Sequence, residues 1–239
     1  MIHLALEMGN SRFAYYQSLF GFGKITGIDL PGETTGIVYG DRMTTIDAAC
    51  NSFGQTINVN MMQMMAAYCS IINGGMLSQP HIVKRIESAN GEVVKEYKAN
   101  LVRQTITAST SKLLRRYLKN TVEEGTAKKA GVTGYSVAGK TGTAQKGDRK
   151  DNKWIISFIG HAPAENPKFA IYVVIDEPYG TTGTSGSSAD VLTLTHNILE
   201  KLLPYMNVYK DASDEYEDTS SSPDELTVDG IPAGTASSS

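Results

Sequence analysis

The chain has few of the residues that would place it in a specialised class of protein. Its 239 residues include two Cys and one Trp, and 41% are hydrophobic. Cys50 and Cys69 are too few for a disulfide framework or a four-ligand zinc site. No apolar run approaches the ~18 residues of a membrane-spanning helix, and the first residues do not read as a signal peptide. The composition indicates one or two ordinary globular domains.

The negative net charge of the chain comes from one end of it. The whole chain has 22 Lys and Arg against 25 Asp and Glu, whereas residues 210–239 hold one Lys and eight acidic residues. Residues 1–209 are therefore mildly basic, but too weakly so for a nucleic-acid-binding face. We predict a folded body over 1–209, an acidic, Ser-rich disordered tail over 210–239, and no nucleic acid partner.

Hydrophobic periodicity predicts helices that alternate with hairpin-forming strands. Helical spacing is found in residues 1–20 (with a stop at Gly9-Asn10), 60–73, 107–130 and 189–203. Strand patterns are found in residues 81–98 (with a turn at Asn90-Gly91), 133–144, 153–163 and 168–176. Residues 21–36 are glycine-rich and predict a loop. The fold class expected is α+β, an antiparallel sheet with flanking helices.

The two longest helical patterns each predict a buried stripe. In residues 107–130 the stripe consists of Leu113, Leu114, Tyr117, Leu118 and Val122. In residues 189–203 it consists of Val191, Leu192, Leu194, Ile198, Leu199 and Leu202. We expect both stripes to face the core.

The segment Lys140-Thr141-Gly142-Thr143 is the strongest chemical signal in the chain. A lysine on an apolar strand between glycines is costly unless it has a partner or a task. Thr141 and Thr143 project to the same face because the strand period is two, and two hydroxyls beside an ammonium suit a carboxylate. Gly142 leaves room for an extended chain alongside the strand. The segment therefore predicts an edge strand that grips an extended, acid-bearing ligand.

The longer pattern resembles a known family. Lys-Thr-Gly is the third element of the Ser-x-x-Lys, Ser-x-Asn, Lys-Thr-Gly set of penicillin-recognising enzymes. GFGKITGIDLPGE (21–33), GQTINVNMMQMMAAYCSIINGG (54–75) and TVEEGTAKKA (121–130) followed by VAGKTGTAQ (137–145) resemble segments of class B penicillin-binding proteins, in their order and spacing. Asn60-Met61 stands where Thr-Pro is usual in that family. Residues 1–209 thus look like the C-terminal half of the family's transpeptidase domain, of the division or spore-cortex kind.

This resemblance implies a function and roles for individual residues. The family cross-links peptidoglycan: a serine is acylated by a stem peptide ending in D-Ala-D-Ala, and a neighbouring strand's amine then takes the acyl group. Lys140 and Thr143 would be the catalytic residues, Lys140 supplying positive potential and the Thr143 N–H an oxyanion donor. Thr141, Gly142 and Thr143 would bind substrate. The implied partners are stem peptides, β-lactams and division or elongation proteins, with no metal or organic cofactor, at the extracytoplasmic face of a bacterial cell membrane.

The first two family motifs are matched in this chain only by segments that we interpret as decoys. Ser109-Thr110-Ser111-Lys112 fits Ser-x-x-Lys but begins a helix that is not the nucleophile's helix in the family. Ser88-Ala89-Asn90 fits Ser-x-Asn but lies at a predicted hairpin turn, where Asn is expected for its turn geometry. In the family, Ser-x-Asn lies a few residues before a segment like LALEMG, which is 4–9 here. We therefore expect a fragment that starts after the second motif, lacks the nucleophile, and is inactive alone.

Two other interpretations of the sequence stay open at this point. The first is a non-catalytic module that binds stem peptide or a division partner. The second is a related hydrolase, a D,D-carboxypeptidase or a β-lactamase-like sensor. The glycine-rich loop 21–36 and the methionine-rich helix favour the biosynthetic enzyme over the hydrolase.

Overall fold

The computed structural model describes residues 1–147, 153–178 and 188–212. The helices in these ranges are α1 Ile2–Met8, α2 Asn10–Leu19, α3 Thr45–Asn51, α4 Met61–Ile72, α5 Ala108–Glu123 and α6 Ala189–Tyr205. The strands are β1 Met76–Gln79, β2 Arg85–Glu87, β3 Val93–Glu96, β4 Asn100–Gln104, β5 Ala138–Lys146, β6 Lys153–Ala162 and β7 Phe169–Asp176. All strand pairs are antiparallel, which confirms the α+β class. Of the disordered tail predicted over 210–239, residues 210–212 are described and lie against the folded part, with the Asp211 N–H donating to the Gly134 carbonyl, so the prediction is wrong for them. Residues 213–239 lie outside the described residues.

The central element is a three-stranded sheet in the order β5-β6-β7. The β5–β6 register places Ala138 opposite His161 and Lys146 opposite Lys153. One face of the sheet presents Ile156 and Phe158, both fully buried, to the C-terminal part of α5 and to α6. These contacts form the main hydrophobic core, and they hold the sheet against the two long helices.

Helix α4 begins and ends as its sequence predicts. Asn60 caps it through a reciprocal capping box, in which its side chain accepts from the Gln63 N–H and the Gln63 side chain accepts from the Asn60 N–H. Gln63 also ties the helix to the glycine-rich loop, since its Nε2 donates to the carbonyls of Lys24 and Thr35 at 2.6 and 2.9 Å. The loop prediction for 21–36 is confirmed, and these bonds fix its position against α4.

A buried tyrosine–histidine pair joins α4 to the sheet. The Tyr68 hydroxyl lies 2.8 Å from His161 Nδ1, and His161 Nε2 lies 3.1 Å from the Ala164 carbonyl. The carbonyl can only accept, so Nε2 carries the proton and Nδ1 accepts from Tyr68. Burial lowers the pKa of His161 to about 4 and raises that of Tyr68. The neutral pair is therefore a fixed link between helix and sheet.

The remaining helices and strands form smaller units. Gly9 separates α1 from α2 as predicted, with φ at 81°. The β2–β3 hairpin turns at Asn90-Gly91, also as predicted. The pairing of β1 with β4 brackets that hairpin and was not expected from the sequence. Among the described helices none combines the length and apolarity needed to cross a membrane.

The structure corrects parts of the two predicted stripes. Helix α5 ends at Glu123 rather than near residue 130, and Leu113 and Tyr117 are exposed. Val122 is buried as predicted, and Leu114 and Leu118 are half-buried, while Ser111, which lies outside the predicted stripe, is also buried. In α6, Leu194 and Ile198 are exposed, although the other predicted positions face inward. Both helices are thus covered over a narrower face than the apolar pattern indicates.

Candidate functional site

The KTGT segment (Lys140–Thr143) lies in β5, at one edge of the central sheet. Within the described ranges β5 pairs with β6 alone, so its other side is open. Lys140 and Thr143 are exposed, while Thr141 and Gly142 are half-buried. The segment is therefore accessible along the open side of an edge strand.

The backbone of Thr141 and Thr143 faces that open edge. A Cβ built on Gly160 would lie 2.7 Å from the carbonyl oxygen of Ala138, so this carbonyl points toward β6. Peptide groups alternate in direction along a regular antiparallel strand, and those of Thr141 and Thr143 consequently point the other way. In agreement, the Thr141 carbonyl accepts the Lys140 ammonium at 3.0 Å. The Thr143 N–H is thus directed out of the sheet.

The side chains of the segment bring an ammonium and hydroxyl groups to the same edge. Lys140 Nζ lies 3.2 Å from Thr141 Oγ1 as well as donating to the Thr141 carbonyl. The hydroxyl of Thr126, which follows α5, approaches Thr141 Oγ1 at 3.5 Å. Thr143 lies on the same face of the strand as Thr141. A cation, two or three hydroxyls and an outward N–H suit an anionic ligand with an extended backbone.

The structure gives a different reason for glycine at position 142 from the one that the sequence indicates. Gly142 pairs with Ser157 of β6, and a Cβ at 142 would lie 2.5 Å from Ser157 Oγ. The missing side chain therefore makes room for a neighbour within the sheet. The open edge results from the position of β5 in the strand order.

Ser157 is the serine that the β5–β6 pairing brings against the segment. It lies on the β6 side of β5, whereas the Thr143 N–H points to the opposite, open side. Its hydroxyl is hydrogen-bonded to Tyr172 of β7. Ser157 is consequently placed to support the sheet rather than to attack a ligand held at the edge.

The two decoy motifs lie away from the segment. Ser109 is in the first turn of α5, where its hydroxyl is 2.9 Å from that of Thr107. At about 1.5 Å per residue, it is roughly 21 Å along the helix axis from Glu123, the end from which the chain reaches Thr126. Ser88 hydrogen-bonds the Asn90 side chain in the β2–β3 turn. Neither motif is assembled with Lys140 into one site.

Two residues of the site were missed by reasoning from sequence. Thr126 lies in TVEEGTAKKA, whose pattern indicates the family resemblance but not a contact with Thr141. Nothing local to Ser157 indicates that it stands beside Gly142, since that depends on the β5–β6 register. In the described part of the chain there is no group of three or more His, Cys, Asp or Glu that could hold a metal ion.

Comparison with known families and sequences gives a consistent result. Residues 1–200 match the model of the family described as "Penicillin binding protein transpeptidase domain". Stage V sporulation protein D of Bacillus subtilis is 40% identical over 212 residues, which cover 87% of this chain and 32% of that protein. Peptidoglycan D,D-transpeptidase FtsI of Escherichia coli is 34% identical over 214 residues, covering 87% and 34%. The chain spans about a third of the length of these curated relatives.

Solved structures with the same fold include ligand complexes. Penicillin binding protein 3 of Mycobacterium tuberculosis, complexed with ampicillin, has a TM-score of 0.79 and 31% identity, covering 90% of this chain and 50% of that one. Its complex with aztreonam gives a TM-score of 0.78 at the same identity, covering 89% and 50%. The described fold is therefore that of a domain solved with two β-lactams.

Proposed function

The chain belongs to the penicillin-binding protein transpeptidase family, and we propose that it supplies the substrate-gripping half of a peptidoglycan D,D-transpeptidase. The proposal rests chiefly on the open edge of β5, where Lys140, Thr141 and Thr143 present an ammonium, hydroxyls and an outward N–H. This arrangement fits an extended peptide that ends in a carboxylate. A stem peptide ending in D-Ala-D-Ala has this chemistry.

Each residue of the segment has a role in the proposed reaction. A serine hydroxyl gives its proton to a base and its oxygen attacks the carbonyl carbon of the penultimate D-Ala. The C–N bond then breaks, and the last D-Ala leaves as an amine that takes up that proton. The Thr143 N–H stabilises the oxyanion that forms during the attack. Thr141 and Thr143 hydroxyls bind the terminal carboxylate and Lys140 adds positive potential. Gly142 links the two threonines, and its own peptide groups face β6. The amine of a neighbouring stem peptide then takes the acyl group from the serine.

The serine nucleophile of this proposal is not among the serines that the structure places near β5. Ser109 lies at the far end of α5, and Ser157 faces away from the open edge. Ser136, just ahead of β5, is buried, with its hydroxyl bonded to Asp211 and to the Ala164 N–H. In the proposal the nucleophile and its base come from outside these 239 residues. The 239 residues alone would then bind ligand without forming a covalent adduct.

The proposed partners and location follow from the same family membership. β-Lactams are proposed ligands because related domains were solved with ampicillin and aztreonam. We also propose that the parent protein works at the extracytoplasmic face of a bacterial cell membrane, with division, elongation or sporulation proteins as partners. The names of the relatives from Bacillus subtilis and Escherichia coli support a role in sporulation or cell-wall synthesis.

A titration with two matched ligands tests whether β5 binds the terminal carboxylate of a peptide. We expect N-acetyl-D-Ala-D-Ala to shift the amide signals of Thr141 and Thr143 in an NMR spectrum of this chain. The same dipeptide with its C-terminus amidated lacks the carboxylate and should bind at least about tenfold more weakly. Equal affinity for the two ligands, or shifts confined to residues outside β5, would contradict the proposal.

Labelling with a fluorescent penicillin tests the position of the nucleophile. We expect no covalent label on this chain after denaturing electrophoresis, because the structure places no attacking serine at the open edge of β5 in its described part. A stoichiometric adduct mapped to any serine of the chain would show that the nucleophile is present.

A further inference from the structure

The segment that follows α6 returns to the start of β5. Val208 is buried in the main core, and its N–H donates to the Leu203 carbonyl at 3.0 Å. The N–H groups of Asp211 and Ala212 both donate to the Gly134 carbonyl, at 3.0 and 3.2 Å. Residues 208–212 are thus fastened to the chain just ahead of the edge strand, and we call them the C-terminal clasp.

The carboxylate of Asp211 holds Ser136 at two points. One oxygen accepts the Ser136 N–H at 2.7 Å, and the other accepts the Ser136 hydroxyl. Ser136 is 7% exposed and lies four residues before Lys140. Hydrogen bonds to a charged acceptor are stronger than those between neutral groups. The clasp therefore fixes the backbone at the point where the chain enters β5.

The same serine connects the clasp to the rest of the sheet. Its Oγ accepts the N–H of Ala164, in the turn between β6 and β7, at 3.0 Å. The Ala164 carbonyl accepts from His161, which in turn accepts from Tyr68 of α4. A continuous chain of hydrogen bonds thus runs from Asp211 through Ser136 to α4, across the base of β5 and β6.

We propose that Asp211 is a positioning residue for the KTGT segment, acting through Ser136. An edge strand is held by ladder bonds on one side only, and a slip of one residue would turn every side chain to the other face. The clasp anchors the N-terminal end of β5 and thereby sets where the Lys140 ammonium and the Thr143 N–H lie. The effect on ligand binding rests on the function proposed above, whereas the effect on the strand does not.

Amide hydrogen exchange of the intact chain separates positioning from general stabilisation. D211A should accelerate exchange at Ser136 and at the β5 amides that bond to β6 by about tenfold or more, with α4 amides unchanged. D211N keeps one oxygen acceptor and should give a smaller acceleration at the same sites. E165Q, at an exposed carboxylate on the β6–β7 turn, is the matched control and should match the wild type.

Two results of the exchange experiment would overturn the proposed role of Asp211. Acceleration spread evenly over α4, β6 and α6 would show a general structural role, and no acceleration in either Asp211 variant would show that the clasp does not hold β5. D211N serves as the test if D211A fails to fold.

Binding of N-acetyl-D-Ala-D-Ala to the same variants provides the second readout. We expect D211A to weaken binding by about tenfold, D211N to weaken it less, and E165Q to have no effect. If the wild-type chain does not bind the dipeptide, the proposed function fails while the exchange experiment still decides the role of the clasp. If the wild type binds and D211A binds equally well, the positioning role is wrong.

Discussion

Ser157 of β6 stands directly opposite Gly142 of β5, and its hydroxyl occupies the space that a side chain at position 142 would need. A Cβ atom added to residue 142 would lie 2.5 Å from Ser157 Oγ but 3.9 Å from Ser157 Cβ. The conflict is therefore with one oxygen atom. The glycine of the KTGT segment is explained by packing inside the sheet, independently of any ligand.

The pair gives a double-mutant prediction for stability. G142A should lower the free energy of unfolding by about 1–3 kcal/mol, because strand or side chain must shift to relieve the overlap. S157A removes the oxygen, so the double variant G142A/S157A should recover most of that loss relative to S157A alone. Chemical denaturation of the four proteins measures the cycle. Additive losses would show that the two residues do not conflict.

Replacing Lys140 should weaken ligand binding more than it changes stability. The Lys140 side chain is exposed, and its ammonium bonds only to the neighbouring threonine among the contacts described. K140Q should reduce affinity for N-acetyl-D-Ala-D-Ala by about tenfold to a hundredfold, because the positive potential proposed to favour the carboxylate is lost.

The control for Lys140 is a lysine on the same strand with a structural partner. Lys146 pairs with Asp176 at 2.9 Å and with Glu177 at 2.9 Å, at the far end of β5. K146Q should leave the affinity for the dipeptide within about twofold of the wild-type value. Because the ion pairs of Lys146 are exposed, their loss should lower the free energy of unfolding by less than about 1 kcal/mol. An equal loss of affinity in K140Q and K146Q would indicate only a general electrostatic effect.

Features governed by neighbouring residues were predictable from the sequence. The hairpin turn at Asn90-Gly91 and the Asn60 cap of α4 depend on residues within a few positions, and both are where the pattern places them. The edge position of β5 is also as predicted, although the room that Gly142 leaves is taken up by Ser157 and not by a chain alongside the strand.

Features governed by distant residues were not predictable in the same way. The bonds between Ser136 and Asp211 join positions 75 residues apart, and the composition of the acidic stretch favoured a solvated tail from residue 210. Tyr117 fits a helical stripe, but which part of α5 is covered depends on where α4 and the sheet meet it. Periodicity gives the face of a helix and not the length over which a neighbour covers it.

The free energy of unfolding should decrease as the pH is lowered, because His161 is buried in its neutral form. His161 has its pKa lowered to about 4 by burial, with the Arg115 charge acting in the same direction and the Ala164 carbonyl against it. The unfolded chain takes up the proton near pH 6.5, so the stabilisation is complete above that pH and declines as the pH falls to about 4. The total loss amounts to about 3 kcal/mol.

A variant that cannot titrate isolates this contribution. H161N should be less stable than the wild type at pH 7, and the difference in unfolding free energy should narrow as the pH falls from 6.5 toward 4. Chemical denaturation at several pH values measures the difference and removes the effect of groups common to both proteins. A constant difference across this range would show that His161 is not buried in its neutral form.

The cap of α4 should contribute separately to helix stability and to the position of the glycine-rich loop. Asn60 Oδ1 accepts the Gln63 N–H at 2.8 Å, while its Nδ2 donates to the Thr34 carbonyl at 2.7 Å. N60A loses both bonds and should cost about 1–2 kcal/mol in chemical denaturation. N60S keeps an oxygen acceptor that caps the helix but loses the donor to the loop, and it places no charge beside the Glu33 carboxylate, which Asn60 also contacts. It should therefore recover most of the helix stability while hydrogen exchange around residues 34–36 stays faster than in the wild type. If N60S were as unstable as N60A, the bond to Thr34 rather than the cap would carry the stabilisation.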